Sequence, residues 1–154
     1  MTEYVQATTA ELFEVAKKLF MEYAATLDCS PCLQSIEKEL ERLPNEYGPP
    51  EGRLVLAVHE GKAAGCVAFR KIGDGLCEMR RMYLRPEFRG KKIGKGLATA
   101  LLDEARRAGY SRIRLYTLPS MQEAIILYHS LGFKDIAPYG EHSIPEAFYM
   151  ELKL

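Results

Sequence analysis

The chain reads as a mixed α/β protein: one mostly antiparallel sheet of six to seven strands, flanked by about four helices. Three observations predict this. Strand-like and helix-like apolar patterns alternate along all 154 residues. Two tight turns, Glu60-Gly61-Lys62 and Gly73-Asp74-Gly75, join successive strands into antiparallel hairpins. A strand–helix–strand stretch from Leu76 to Thr117 then implies two parallel strands, because a helical crossover carries the chain back to the end where it began. No repeat, low-complexity tract or linker interrupts the pattern, so residues 1–154 are expected to form a single domain.

Val5 to Thr8 opens the chain as a short strand, and Thr8-Thr9-Ala10-Glu11 reads as a capping box. Leu12, Val15, Ala16, Leu19 and Tyr23 then recur at helical spacing. A second helix runs from about Pro31 to Leu43, with Leu33, Ile36, Leu40 and Leu43 on one face. Pro44 to Gly52 is rich in Pro, Gly and Asn and reads as a loop. Strands follow at Leu54–Val58, Ala64–Phe69 and Leu76–Leu84. A helix carries Ile93, Leu97, Leu101, Ala105 and Ala108 on one stripe and stops at Gly109. Arg112–Thr117 is a strand, Gln122–Leu131 a helix closed by Gly132, and Phe133–Ala137 and Ala147–Leu152 are the last two strands.

Net charge is zero, which argues against a general nucleic-acid binder. The charge is unevenly spread, however. Arg80 to Lys95 holds seven basic residues and one acid, whereas Met1 to Glu51 holds ten acids and four bases. A local basic cluster on a neutral chain suits a discrete anionic ligand. The acidic first third hints at a cationic acceptor. No run approaches the roughly 18 apolar residues of a membrane span, and Met-Thr-Glu-Tyr lacks the features of a signal peptide. The expected location is cytoplasmic, with no membrane partner. Cys66 and Cys77 fall in apolar strands and are expected to be reduced. Cys29 and Cys32 have redox or metal spacing but no second pair, and Ser30 beside Pro31 also fits a plain helix start. No metal is expected.

The stretch Arg85-Pro86-Glu87-Phe88-Arg89-Gly90-Lys91-Lys92-Ile93-Gly94-Lys95-Gly96-Leu97 stands out. A strand feeds into it and an amphipathic helix leaves it. Glycine allows tight turns and close approach, and a helix N-terminus offers unpaired N–H groups to phosphate. A P-loop requires four residues between its first glycine and Gly-Lys-Ser/Thr; Gly90 to Gly94 leaves three, and Gly96 follows Lys95. A short-chain dehydrogenase would pair a Tyr with a Lys four residues on, but Gly132 follows Tyr128 and Arg114 follows Tyr110 at that distance. The acid expected about 20 residues downstream of a dinucleotide turn is also misplaced, since Asp103 and Glu104 come too early.

The third reading is coenzyme A. Arg89-Gly90-Lys91-Lys92-Ile93-Gly94 resembles the acetyl-CoA motif Arg/Gln-x-x-Gly-x-Gly/Ala of the GCN5-related N-acetyltransferase (GNAT) superfamily, with Lys92 in place of the first motif glycine after the two variable positions. Downstream, Ala124-Ile125-Ile126-Leu127-Tyr128-His129-Ser130-Leu131-Gly132-Phe133 resembles the family's Ala-x-x-Leu-Tyr-x-x-x-Gly-Phe, with Met121 where many members carry Asn. The resemblance covers about Tyr4 to Leu154 in the family's element order.

It implies a sheet splayed between its fourth and fifth strands and an acetyl-CoA-dependent N-acetyltransferase. The acceptor would be a primary amine of a small molecule or peptide, attacking directly in a ternary complex. The pyrophosphate would lie on the backbone of Arg89, Gly90, Lys91, Lys92, Ile93, Gly94, Lys95 and Gly96, and backbone groups of Met82 and Leu84 would bind the pantetheine arm. Tyr128 would be the general acid, since a phenol of pKa about 10 is protonated at neutral pH; ordinary packing on an amphipathic helix is the competing account. Glu78 is the candidate base: by period-two counting it shares a face with Arg80, Met82 and Leu84. A salt bridge to a neighbouring Arg is its alternative, leaving solvent as base. The acceptor region is expected at Cys29–Glu51 and Tyr139–Pro145. A homodimer is one expected assembly. A non-catalytic acyl-CoA-binding module on the same scaffold is the rival function.

Overall fold

The computed structural model describes residues 1–27, 30–140 and 147–154. The order is β1 (Thr2–Gln6), α1 (Ala10–Thr26), α2 (Ser30–Leu40), α3 (Leu43–Tyr47), β2 (Arg53–His59), β3 (Lys62–Gly73), β4 (Leu76–Leu84), a 3₁₀ turn (Pro86–Phe88), α4 (Ile93–Arg107), β5 (Arg112–Thr117), α5 (Gln122–Ser130), β6 (Lys134–Ile136) and β7 (Phe148–Lys153). The seven strands lie in the order β1-β2-β3-β4-β5-β7-β6. Every pairing is antiparallel except β4–β5, as the helical crossover through α4 requires.

Three local expectations shift. β1 begins at Thr2 rather than Val5, because its register starts with Thr2 opposite His59 and ends with Gln6 opposite Val55. The first helix is capped by Thr9, not Thr8: the Thr9 hydroxyl accepts from the Leu12 N–H at 3.2 Å. The expected loop from Pro44 begins with a fifth helix, α3, where Pro44 occupies the first turn and its missing N–H costs no helical bond. Cys29, and residues 141–145 of the expected acceptor region, lie outside the described residues.

The central strands bury both faces, one under each helical layer. Leu97, Ala98, Leu101 and Ala105 of α4 pack on Val55, Val67, Phe69, Met79 and Ile113. Leu19 and Phe20 of α1, Ile36 of α2 and Tyr47 of α3 pack on Leu54, Leu56, Cys66 and Ala68. Neighbouring residues of β2 therefore serve opposite cores, which is why that strand reads as continuously apolar. No helix among the described residues is long and apolar enough to cross a membrane.

Two features of β4 shape the site. First, β4 pairs with β5 only at Leu76↔Arg112, Cys77↔Ile113 and Glu78↔Arg114; beyond that point the strands part. Second, β4 bulges. Ala68 of β3 faces Arg80 and Cys66 faces Tyr83, so three steps on β4 answer two on β3. Arg81 takes up the extra residue at φ 59°, a left-handed conformation costing a side-chain-bearing residue about 1–3 kcal/mol. The bulge resets the alternation and corrects the period-two expectation. Glu78 and Arg80 keep to the α2 side with Glu39, whereas Met82 and Leu84 turn to the α4 side and pack against its core. Glu78 therefore does not share a face with Met82 and Leu84.

Candidate active site

The glycine-rich turn sits where β4 ends and α4 starts. Gly90 (φ 81°) and Lys92 (φ 63°) are both left-handed. Lys92 is the residue preceding α4, so the position where the family motif carries glycine does demand glycine-like backbone here, and Lys92 adopts it nonetheless. The first backbone bond of the new helix runs from the Gly96 N–H to the Lys92 carbonyl at 3.2 Å, so the N–H groups just before it head the helix without an intrahelical partner. Lys91, Lys92 and Lys95 are exposed around this end, while buried Ile93 anchors the turn to the core. Arg89 is exposed and folds its Nε back to the Leu84 carbonyl at 3.0 Å, tying the turn to the end of β4. The arrangement suits a diphosphate: oriented N–H groups, a helix dipole and surrounding cations.

The two later glycines do different work. A Cβ on Gly96 would collide with the Tyr4 hydroxyl, which reaches the Ile93 carbonyl, so the missing side chain at Gly96 makes room for β1. A Cβ on Gly94 meets only Met82 Cε at 3.6 Å and Leu127 Cδ2 at 3.9 Å, ordinary contacts. Gly94→Val is therefore expected to leave thermal stability nearly unchanged, as Gly and Val are both poor helix formers. Its branched side chain should still obstruct the turn and weaken coenzyme A binding by about tenfold or more, as titration calorimetry would read. Undiminished affinity in a folded variant would move the diphosphate elsewhere.

Past Glu78 the gap between β4 and β5 opens into a cleft. Met79, Met82, Leu115, Ala124 and Tyr128 line it, and so do Tyr23, Arg80, Arg81, Tyr116 and Thr117. Helix α5 delivers Tyr128. Its last turn is closed by Leu131 and Phe133 N–H groups on the Tyr128 carbonyl, each at 3.1 Å, and the ring packs beside Phe133. Tyr128 is 5% exposed, yet its hydroxyl makes no hydrogen bond to any described residue. Burial pushes the phenol's pKa up, with the nearby Tyr23 hydroxyl adding to the effect. The ring is buried but the hydroxyl is not sealed from the cleft it lines, so this donor can meet a group that enters there.

Glu78 stands differently. It is 6% exposed, accepts from Tyr139 Oη at 2.9 Å and lies 3.6 Å from Arg80 Nε and 3.8 Å from Arg70 Nε. It is not among the residues lining the cleft. Tyr139 in turn stacks edge-on to Tyr149 and lies under the Arg114 guanidinium, so this cluster pins the segment after β6 to the start of the splay. The structure thus brings Met82 and Tyr128 to one cleft, places Gly94 of the glycine turn against Met82 without any turn residue lining the cleft, and sets Glu78 outside the lining.

Sequence reasoning missed the arginines and the second phenol. Arg81 grips Glu39 of α2 through two bonds of 2.8 Å, and Arg80 Nη1 lies 3.1 Å from the same carboxylate. Burial raises the Glu39 pKa, but the Arg81 hydrogen bonds and the charges of Arg80 and Arg81 outweigh it and hold the carboxyl below its usual range. Near the strand's end Arg85 pairs with Glu22 of α1 at 2.6 Å. The acidic first third and the basic stretch after Arg80 thus partly neutralise each other inside the fold, and these acids are not offered to a cationic acceptor. The signal was present in Tyr23, one turn from Leu19 on an apolar stripe, but a stripe does not tell a cleft wall from core.

A model of the Acetyltransferase (GNAT) family matches residues 16–133. The chain belongs to that family. It is 39% identical over 140 residues to an uncharacterized N-acetyltransferase of Schizosaccharomyces pombe, covering 90% of this chain and 86% of that protein. It is 41% identical over 91 residues to N-acetylaspartate synthetase of Xenopus tropicalis, covering 58% of this chain and 34% of that protein. Among solved structures, the PaiA N-acetyltransferase of Thermoplasma acidophilum in complex with coenzyme A superposes at a TM-score of 0.75 with 24% identity, covering 100% of this chain and 99% of that one. As a GNAT member the chain is an acyltransferase, and its mixed α/β fold is the one it shares with that solved structure.

Proposed function

We propose that this GNAT enzyme moves an acetyl group from acetyl-CoA to a primary amine of a small molecule or peptide, by direct attack in a ternary complex. The observation that carries the reading is the Tyr128 hydroxyl, which makes no hydrogen bond to a described residue and opens on a cleft whose wall residue Met82 lies against Gly94 of the glycine turn. Coenzyme A bound to the Thermoplasma relative supports the donor. The diphosphate would rest on the turn from Arg89 to Gly96. The pantetheine arm would add alongside β4, whose edge toward β5 is unpaired past Glu78, with backbone groups of Met82 and Leu84 holding it and polarising the thioester oxygen.

The neutral amine attacks the thioester carbon, the carbon–sulfur bond breaks, and the sulfur leaves as thiolate. Tyr128 gives the thiolate a hydrogen bond and its proton; the proton lost by the amine goes to solvent and restores the phenol through water. The raised pKa of Tyr128 keeps it a donor throughout the working range. Glu78 is the alternative base. With both its oxygens engaged, Glu78→Gln is expected to lower thermal stability and to reduce kcat/KM by the same factor at every pH. A loss concentrated at low pH, recovering as free amine becomes abundant, would instead make Glu78 the base.

Thiol release from acetyl-CoA across a panel of amines tests the reading. Amine-dependent release is expected; coenzyme A binding without turnover by any amine would mark a binding module. The name of the Xenopus relative states an acetylated amino acid as its product, which places amino acids in the panel.

A further inference from the structure

We propose that Tyr23 is a second catalytic phenol: on the α1 side of the cleft its hydroxyl takes a proton from the attacking amine and hands its own on toward Tyr128, which protonates sulfur on the other side. The inference rests on the acetyltransferase reading with Tyr128 as its acid, and it names the first carrier on the proton's route away from nitrogen.

The two phenols come from opposite faces of the sheet. Tyr23 packs against the core built by α1, α2 and α3, with its ring 5.8 Å from that of Tyr83. Tyr128 belongs to the core under α4. An unbroken sheet would keep the two layers apart. Here β4 and β5 stop pairing after Glu78 and Arg114, and both phenols line the cleft that opens there. Other phenols of the chain spend their hydroxyls internally: Tyr83 donates to Glu22, Tyr110 to the Glu51 carbonyl and Tyr139 to Glu78. The Tyr23 hydroxyl, like that of Tyr128, makes no hydrogen bond to a described residue and is not sealed from the cleft.

The reaction asks for such a path. A neutral amine and a thioester become an amide and a thiol, so one proton must travel from nitrogen to sulfur with no net gain or loss. As nitrogen bonds to the carbonyl carbon and the carbon–sulfur bond breaks, the nitrogen proton goes to the Tyr23 oxygen. The Tyr23 proton passes through water in the cleft to the Tyr128 oxygen, and the Tyr128 proton goes to sulfur. Both phenols end as they began. Burial pushes the Tyr23 phenol up to about 12, against the pull of Arg81, and raises Tyr128 as well. A phenol so hard to ionise is a poor base by itself. It accepts one proton only while giving up another, which is what a relay requires. The Tyr23 hydroxyl acts electrostatically on the Tyr128 phenol, so the two lie within reach of one another. Glu78, outside the cleft lining, has no part in this route.

Single-turnover acetyl transfer, with enzyme in excess over acetyl-CoA and a good amine at saturation, tests the relay. Tyr23→Phe is expected to slow transfer by roughly 10- to 100-fold. Acetyl-CoA affinity and melting temperature should hold, because the ring contact with Tyr83 remains and the lost hydroxyl had no internal partner. The double variant Tyr23→Phe with Tyr128→Phe should be no slower than the slower single variant, since a relay already broken is not broken twice. In the wild-type enzyme the rate should fall along a downward-bowed curve as heavy water replaces water, the mark of more than one proton in flight; this readout needs no variant. A Tyr23→Phe rate equal to wild type, losses that multiply in the double variant, or a straight line in heavy water each overturn the relay and leave Tyr128 as the acid. Absence of thiol release with every amine overturns the acetyltransferase reading and the relay together.

Discussion

Tyr128→Phe is expected to lower kcat by roughly 10- to 1000-fold, the range for a lost general acid, with unchanged acetyl-CoA affinity. The ring is what packs: it sits in the α4-side core beside Phe133, and Phe retains those contacts. The hydroxyl makes no bond to any described residue, so its removal leaves no internal group unsatisfied and the melting temperature should hold. Stopped-flow thiol release with a good amine reads the effect. Because burial raises the phenol's pKa above its ordinary value of about 10, wild-type kcat should show no falling limb from Tyr128 below about pH 10. Turnover equal to wild type would return Tyr128 to a packing role.

Glu39→Gln should produce the largest loss of stability. Removing one partner of a buried ion pair typically costs about 3–5 kcal/mol, here by depriving two buried guanidiniums of their shared anchor. For a domain of this size that is a fall in Tm of roughly 10 °C, readable by calorimetry. The pH dependence has a definite sign. The folded pKa of Glu39 is depressed, so the unfolded chain binds the proton more readily and stability falls with acidity. The contribution is present above the unfolded carboxyl's pKa of about 4.3 and is lost as pH drops through the lower folded value. Glu39→Gln should flatten that acid limb. A variant within 1 °C of wild type at pH 7 would mean the pair adds nothing net.

The sequence made the local features legible. The turn from Arg85 to Leu97 declared itself because glycine and lysine report on the backbone that carries them, whereas Tyr128 was singled out only by the resemblance of Ala124–Phe133 to the family's motif, its helical position alone reading as ordinary packing. The element order survived because each hairpin and the α4 crossover is set by neighbours in the chain. The bulge was hidden. Left-handed backbone is usually announced by Gly or Asn, but here Arg81 adopts it inside an apparently regular strand, so counting by twos put Glu78 on the wrong face. The ion pairs were hidden by distance: Glu39 and Arg81 are far apart in the chain, and nothing local to either names the other. Helix α3 was masked by Pro44 and Asn45, which suit a loop as well as a first helical turn.

A crystal structure of the enzyme with coenzyme A tests the central claim most directly. The account predicts the diphosphate on the backbone N–H groups between Arg89 and Gly96, the pantetheine arm running along β4 past Met82, and the sulfur within hydrogen-bond reach of Tyr128 Oη. Coenzyme A bound with its diphosphate away from this turn, or with its sulfur on the far side of the sheet from Tyr128, would contradict it.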